Sequence, residues 1–386
     1  MMADNIEHVI SYYVVFHKFN SPALGGFAVV SHWVPYLGLS FAVGALNDRF
    51  DSRRIIQIGV GIFMLVSAGW GYFFLTDSLQ KWHAMILLVL HGCAGVLWTT
   101  SGQVLLYDIV GPAMLPSAVR LNATGRYLGV LVGPAVGGGL MYALGPVRGM
   151  FVNTAFYLPI LVWLIAAPYG RKFRGEQPPP KRAVRGFADI FQTIREIRGI
   201  AVLGVMVVLA GAASFFIGNS YQAQMPGFAA DLGHGNQGAT YSMLLAADAA
   251  GALLAGFLLE SRGGLLATKP ASALKLAMLW ALALFSFACV RYYPAALGLL
   301  FLAGFFELSF SSMSQTIVQV NAPNAIRGRV LGLFNMSSLG LRAFSGVTVG
   351  LLGSVTSIHV SLAVAAAGFL AVVIGLLLRE RMLRPA

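Results

Sequence analysis

Four ionisable residues stand inside long apolar runs: Arg126, Asp248, Glu307 and Arg342. Charge at membrane depth is expensive, and residues kept there handle ions or protons by default. A carboxyl group in such a place can load and unload a proton, the elementary step of proton-coupled transport. Static Asp–Arg or Glu–Arg pairs that hold helices together are the competing use of the same four residues. A second set, Glu7, Tyr12, Trp33, His91, Trp98, Asn219 and Gln222, brings polar tips and aromatic rings to apolar stretches. An apolar wall with a few polar contacts suits a small amphiphilic compound. Ordinary packing and the aromatic belt at a membrane surface account equally well for most of them.

Other chemistries find little support. No nucleophile–base constellation is recognisable, so no catalytic residue is assigned and an enzyme is not expected. The seven histidines contain no H-E-x-x-H and suggest no metal cluster, so no metal or other cofactor is expected. Cys93 and Cys289 both lie in apolar runs, which argues against a disulfide framework. Gly233-His-Gly235-Asn-Gln-Gly238 fits G-x-G-x-x-G, but no strand precedes it and no Walker A sequence accompanies it.

The elements that must position these residues are membrane helices. The chain has 386 residues, 58% hydrophobic and 10% charged, where a soluble domain carries about 25% charge. Its mean hydropathy is +0.76. Apolar stretches predict helices near 5–17, 25–46, 55–76, 84–106, 123–144 and 149–167, then near 200–221, 240–259, 272–290, 294–318, 330–352 and 359–378. The expected fold is all-α and polytopic, twelve spans in two sets of six, with the lipid bilayer as its surroundings. Residues 1–167 form an N-terminal half and 200–386 a C-terminal half. Between them, 168–199 is a polar linker containing Pro178-Pro179-Pro180. Within it Phe187, Ile190, Phe191, Ile194 and Ile197 recur at helical spacing beside Arg185, Arg195 and Arg198. That pattern fits an amphipathic helix on the inner leaflet, or a packed connector.

The net charge of +12 is explained by short basic loops that orient the chain, without nucleic acid. With both termini in the cytoplasm, the inner loops hold Arg49, Arg53, Arg54, Arg120, Arg171, Lys172, Arg174, Arg327, Arg329 and others, against Lys18, Lys81, Arg148 and Arg291 outside. The bias is about five to one, and the reverse orientation would invert it. Asp4 and Glu7 stand where a secretory signal would be basic, so none is expected.

The two halves repeat. Pro116-Ser-Ala-Val-Arg120 echoes Pro323-Asn-Ala-Ile-Arg327, and Gly44-x-Leu46-x-Asp48 echoes Gly256-x-Leu258-x-Glu260, at nearly one offset. The same offset places the first-half counterpart of Ile200 before Met1. The first helix is therefore expected to be short, with a displaced or truncated start; a short or tilted first helix is the alternative. Asp4, Glu7 and His8 then fall where lipid or a cavity is expected.

Two motifs carry a family resemblance. Gly44-Ala-Leu46-Asn-Asp48-Arg49-Phe-Asp-Ser-Arg53-Arg54 is a burst of charge between apolar runs. It resembles the loop between the second and third helices of major facilitator superfamily transporters. The resemblance implies a cytoplasmic latch: Asp48 faces the positive N-terminal end of a helix starting near Val330, and a loop arginine pairs with Asp108. Asp51 stands in place of a glycine and Ser52 in place of a basic residue, so the arginine that pairs with Asp108 is open. Gly129-Val-Leu-Val-Gly133-Pro134-Ala-Val-Gly137-Gly138 fits G-x-x-x-G-P-x-x-G-G throughout and resembles the antiporter signature of superfamily exporters. Small residues there allow close helix approach and Pro134 is expected to kink the span; generic Gly/Pro packing is the alternative.

The segments 107–122 and 322–332 look like those of the branch containing enterobactin-type siderophore exporters and related bacterial efflux proteins. His91 stands where another superfamily motif has an arginine. The resemblance implies a monomer in the bacterial cytoplasmic membrane that exports a small amphiphilic substrate, siderophore or drug-like, in exchange for protons. An uptake symporter or lysophospholipid flippase is the runner-up. A non-transporting sensor or a membrane enzyme is the alternative of another class.

Overall fold

The computed structural model describes residues 2–19, 22–170, 187–218, 220–233, 237–261, 268–345 and 352–382. Asn219, the Pro178–Pro180 run, and Arg171, Lys172, Arg174 and Arg185 lie outside these residues, as do residues 234–236 of the glycine-rich segment. The described residues are helical with no strand among them. In order they are α1 (Met2–Phe19), α2 (Pro22–Arg49), α3 (Ser52–Leu75), α4 (Lys81–Ala155), α5 (Leu158–Ala166), α6 (Phe187–Ile197), α7 (Ala201–Phe216), α8 (Ser220–Ala223) and α9 (Met225–Asp231). The rest are α10 (Gln237–Ser261), α11 (Pro270–Cys289), α12 (Tyr293–Asn321), α13 (Arg327–Asn335), α14 (Arg342–Ser345), α15 (Leu352–Val355) and α16 (Ile358–Met382). Among them, seven stretches are long and apolar enough to cross a membrane.

Local chemistry sets the boundaries. Asp51 caps α3, its side chain accepting from the Arg53 amide at 3.0 Å. The acid that replaces the glycine of the motif thus has a structural task. Proline occupies the first turn of α5, α11 and α12, where its missing donor is not needed. The 75-residue α4 is interrupted at Gly111 (φ 68°, ψ 177°) and Gly145 (φ 74°, ψ 169°). Each precedes a proline, Pro112 and Pro146. The proline forces extended ψ on the residue before it, and glycine alone accepts that ψ with positive φ. The two Gly-Pro pairs divide α4 into rods over 81–110, 112–144 and 146–155.

Four expectations change here. The segment between 106 and 123, expected as a loop, is helical except at Gly111. The backbone of α4 keeps helical torsions at Pro134; its departures fall at Gly111 and Gly145. The seventh span ends at Phe216, short of residue 221. The first helix, read as 5–17, occupies 18 residues, about 27 Å at 1.5 Å per residue. Its Asp4, Glu7 and His8 turn inward to partners rather than toward lipid.

The chain forms two compact units. One comprises Met1–Gly111, Leu128–Thr193 and Pro323–Met336; the other comprises Pro112–Tyr127, Ile194–Ala322 and Ser337–Ala386. The first has a core around Ile6, Ile10, Val66, Trp70 and Met150 and another around Ile56, Val60, Phe63 and Leu164. The second buries Phe228, Phe287 and Phe369, with Trp280 stacked on Phe310 at 5.6 Å. Lipid is as apolar as these side chains, so close packing rather than water exclusion holds such helices together. On α6, Phe191 and Ile194 are exposed while Asp189, Thr193 and Ile197 are buried.

Candidate functional site

The charged loop after α2 is part of the first unit. The Asp48 carboxylate accepts from the Gly328 amide at 2.6 Å and the Arg329 amide at 3.1 Å, with the Arg329 guanidinium 3.8 Å away. These are unsatisfied first-turn donors of α13, so the acid sits on the positive end of that helix. The helix begins at Arg327, three residues before the expected start at Val330. Glycine makes the approach possible. A Cβ added at Gly44 would lie 2.9 Å from Gly332 Cα, and one at Gly332 would lie 2.9 Å from Phe41 Cα. Backbone therefore packs on backbone between α2 and α13. Gly328-x-x-x-Gly332 is the small-residue spacing that signals such contacts. Further along, the Asn335 amide donates to Thr100 and Gln103 at 3.2 Å each, and Arg327 lies 3.5 Å over the Tyr107 ring.

The loop arginines have separate tasks. Arg53 pairs with Asp51 at 2.8 Å and donates to the Ala167 carbonyl at the end of α5. Arg54 donates to Gln57 at 2.9 Å on the surface. Leu46, Arg49 and Asp108 are half-buried. In the antiporter-like segment, a Cβ at Gly133 would meet Asn5 at 2.6 Å, and one at Gly137 would meet Ile6 Cα at 3.1 Å. Gly129 is buried, while Gly138 has open space beside it. Gly133 and Gly137 thus bring the fifth span against α1. The side chain of Pro134 lies outside the description.

α1 supplies the acids of a buried polar cluster. His91 of α4 contacts Glu7 through Nδ1 at 2.7 Å and Asp4 through Nε2 at 2.6 Å. The Ser67 hydroxyl donates to Glu7, and the Asn153 amide donates to Ser67 at 3.0 Å. His8 stacks on Tyr12 with ring centroids 5.0 Å apart, and lies 5.3 Å from His32 and 4.7 Å from His91. Trp33 meets His32 edge-on at 4.7 Å. Glu7, Tyr12, Trp33 and His91 are therefore neighbours, as members of one cavity would be. Trp98 instead packs beside the core around Phe63. The sequence suggested no cluster among the histidines, yet three of them are neighbours. Ring nitrogens of His8, His32 and His91 lie within 4.8 Å of one another. They come from three helices, so no sequence spacing announces them.

The second unit holds the other ionisable group. Tyr221 reaches Asp248 at 3.2 Å and Glu307 at 3.4 Å through one hydroxyl. Gln222 donates to Asp248 at 3.1 Å, so this residue belongs with the carboxyls rather than with Trp33. Arg342, Arg126 and Tyr127 act on Glu307 electrostatically. Arg126 also lies 5.7 Å from the Tyr127 ring centre. Asp248 and Glu307 thus meet at one hydroxyl, with Arg126 and Arg342 within reach of Glu307 by charge. Glycine again sets the geometry. A Cβ at Gly251 would lie 2.7 Å from the Phe301 carbonyl carbon, and one at Gly304 would lie 2.7 Å from that of Asp248. α10 and α12 cross with backbones touching, and Asp248 and Glu307 stand three residues from those glycines. Tyr221 and Tyr127 escaped sequence reading because tyrosine at a membrane helix end is commonplace.

Comparison with known proteins places this geometry in a wider set. The profile of a family described as transmembrane secretion effector matches residues 4–384. An enterobactin exporter, EntS, of Escherichia coli O1:K1 / APEC is 25% identical over 348 residues, 87% of this chain and 77% of that protein. The counterpart from Shigella boydii serotype 18 shows the same identity and coverage. Among solved structures, the human organic anion transporter MFSD10 (TETRAN) superposes with a TM-score of 0.78 at 12% identity, over 97% of each chain. A bacterial homologue of the iron transporter ferroportin gives 0.73 at 12% identity, over 98% of this chain and 97% of that one. The E. coli fucose:proton symporter FucP gives 0.73 at 12% identity, over 98% and 96%. At such identities these structures share the fold.

Proposed function

We propose, for a chain that belongs to the transmembrane secretion effector family of major facilitator transporters, that it exports a small amphiphilic compound in exchange for protons. The fold is the all-α, polytopic one of that superfamily. The observation that carries the proton reading is the meeting of Asp248 and Glu307 around the Tyr221 hydroxyl, with Arg126 and Arg342 beside Glu307. Two carboxyls that share one hydroxyl offer a proton two neighbouring seats. When the proton leaves, the arginines balance the negative charge on Glu307. A pair of buried carboxyls with mobile occupancy is what coupling to a proton gradient requires.

Export is favoured by the segment Gly129–Gly138 and by the likeness to the enterobactin exporters of Escherichia and Shigella. The substrate is siderophore-like or drug-like, an amphiphile with an aromatic or apolar body. Access alternates between the two faces of the membrane. Asp48 on the α13 amides serves as the latch of one state, and Arg53 with Asp51 anchors the loop beside it. The protein acts as a monomer in the bacterial cytoplasmic membrane with both termini inside. There α6 lays Phe191 and Ile194 on the inner leaflet.

Flux measured in proteoliposomes under an imposed pH gradient tests the reading, with a catecholate siderophore and a hydrophobic dye as probes. Export should run against the proton flow. Asp248→Asn and Glu307→Gln should each abolish gradient-driven flux while leaving expression and melting behaviour intact. Tyr221→Phe should slow flux about ten-fold, the effect of losing one hydrogen bond to a charged group worth about 1.5 kcal/mol. Full flux in both carboxamide variants overturns the assignment. Transport only in the direction of proton flow overturns export.

A further inference from the structure

We infer that the first unit carries a binding site for one divalent first-row transition-metal ion, formed by His8, His32, the Nε2 atom of His91 and the carboxylate of Asp4. The ligand atoms of the three imidazoles already lie within 4.8 Å of one another. Asp4 Oδ1 stands 2.6 Å from His91 Nε2. In a tetrahedral site with metal–nitrogen bonds near 2.0 Å, ligand atoms are about 3.3 Å apart. Side-chain shifts of up to about 1.5 Å bring the three nitrogens to that spacing, and Asp4, already beside His91, supplies the fourth ligand. Asp4 and His8 are one turn apart on α1, so a single helix face presents both.

The surroundings are those of a built site. A ligating histidine generally gives its other ring nitrogen to a carboxylate, which fixes its tautomer and orientation. His91 Nδ1 has such a partner in Glu7 at 2.7 Å. Glu7 is in turn held by Ser67, and Ser67 by Asn153. The chain Asn153–Ser67–Glu7–His91 aims Nε2 at Asp4. Phe63 meets the His91 ring edge-on at 4.9 Å and closes the apolar side.

Charge points the same way. Asp4 and Glu7 together carry two negative charges, and their side chains are 17% and 2% exposed. A dication with three neutral imidazoles brings the cluster to zero, the least costly total for a group enclosed among membrane helices. Three nitrogens and one oxygen suit zinc, cobalt, nickel or ferrous iron, whereas magnesium and calcium want oxygen ligands. The site rests on this geometry alone and is independent of the export reading.

The test is a cobalt titration of the full-length protein in lipid nanodiscs, purified without a polyhistidine tag. One Co²⁺ per chain should bind, with the strong visible absorption of four-coordinate cobalt, and Zn²⁺ should displace it. His8→Gln, His32→Gln and Asp4→Asn should each abolish the visible bands. Glu7→Gln, which leaves every proposed ligand in place, should weaken binding about 10- to 100-fold. Size-exclusion profiles and melting curves show which variants remain folded, and Glu7→Gln keeps the test decisive where a histidine variant does not. Absence of bound cobalt overturns the site, as does pale six-coordinate binding that the variants leave unchanged. No flux enters the measurement, so failure here and failure of the export reading are separate results.

Discussion

Replacing Asp48 by Asn tests the contact between α2 and α13 most directly. The carboxylate accepts from the Gly328 amide at 2.6 Å and the Arg329 amide at 3.1 Å. Asn keeps one acceptor oxygen and turns an NH₂ donor toward the other amide. A hydrogen bond to a charged acceptor is worth about 1.5–3 kcal/mol. Losing one, with the charge on the helix end, costs about 2 kcal/mol, which is about 30-fold in an opening equilibrium at 1.4 kcal/mol per decade. Hydrogen exchange read by mass spectrometry on the peptide covering Arg327–Asn335 gives the number. Exchange at its first amides should accelerate about 30-fold in Asp48→Asn. Arg54→Ala is the control, because the exposed Arg54 bonds to Gln57 on its own helix, and it should change nothing there. Equal protection in wild type and Asp48→Asn would refute the reasoning, because the amides would then owe their order to something other than the carboxylate.

Two further outcomes follow from the same geometry. Gly304→Ala places a methyl group 2.7 Å from the Asp248 carbonyl carbon; overpacking of this kind costs about 1–3 kcal/mol. The midpoint of thermal unfolding in detergent should fall, whereas Gly298→Ala, with nothing near its added carbon, should leave it unchanged. At the end of α1, Lys18 bonds to Asp77 and holds its carboxyl below the usual carboxylate range. A depressed pKa contributes stability above the unfolded value of about 3.9 and loses it as pH falls through the folded one. Asp77→Asn should therefore differ from wild type in melting at pH 6, with a difference that shrinks below about pH 4 and with added salt.

Much of this was legible because membranes make charge conspicuous. Asp248, Glu307, Arg126 and Arg342 could be picked from apolar runs, and the two carboxyls share the Tyr221 hydroxyl. Asp48 was assigned to a helix N-terminus, and it lies on one. What escaped was juxtaposition among residues of ordinary type. His8 and His32 look like incidental polar residues until α1, α2 and α4 bring them to His91. Tyr221 looks like a belt aromatic until its hydroxyl reaches both carboxyls. Helix ends also misled where proline was involved. Asp108, Pro112 and Arg120 read as a polar loop, yet Pro112 opens a rod and only Gly111 departs from helical torsions. Gly328-x-x-x-Gly332 is a spacing the sequence contains, but its partner Gly44 lies hundreds of residues away in a different motif.

The contact of Gly44 with Gly328 and Gly332 has a thermodynamic consequence of its own. Burying a long side chain in an interface freezes its rotamers, at up to about 2 kcal/mol each, and releases them on separation. Glycine has no rotamers to freeze. Parting α2 from α13 at these three positions therefore liberates no side-chain entropy, and rejoining them demands none. At these positions the carboxylate of residue 48 on two amide protons is the polar contact that side-chain entropy does not offset, so a single charge has leverage over how the two helices part.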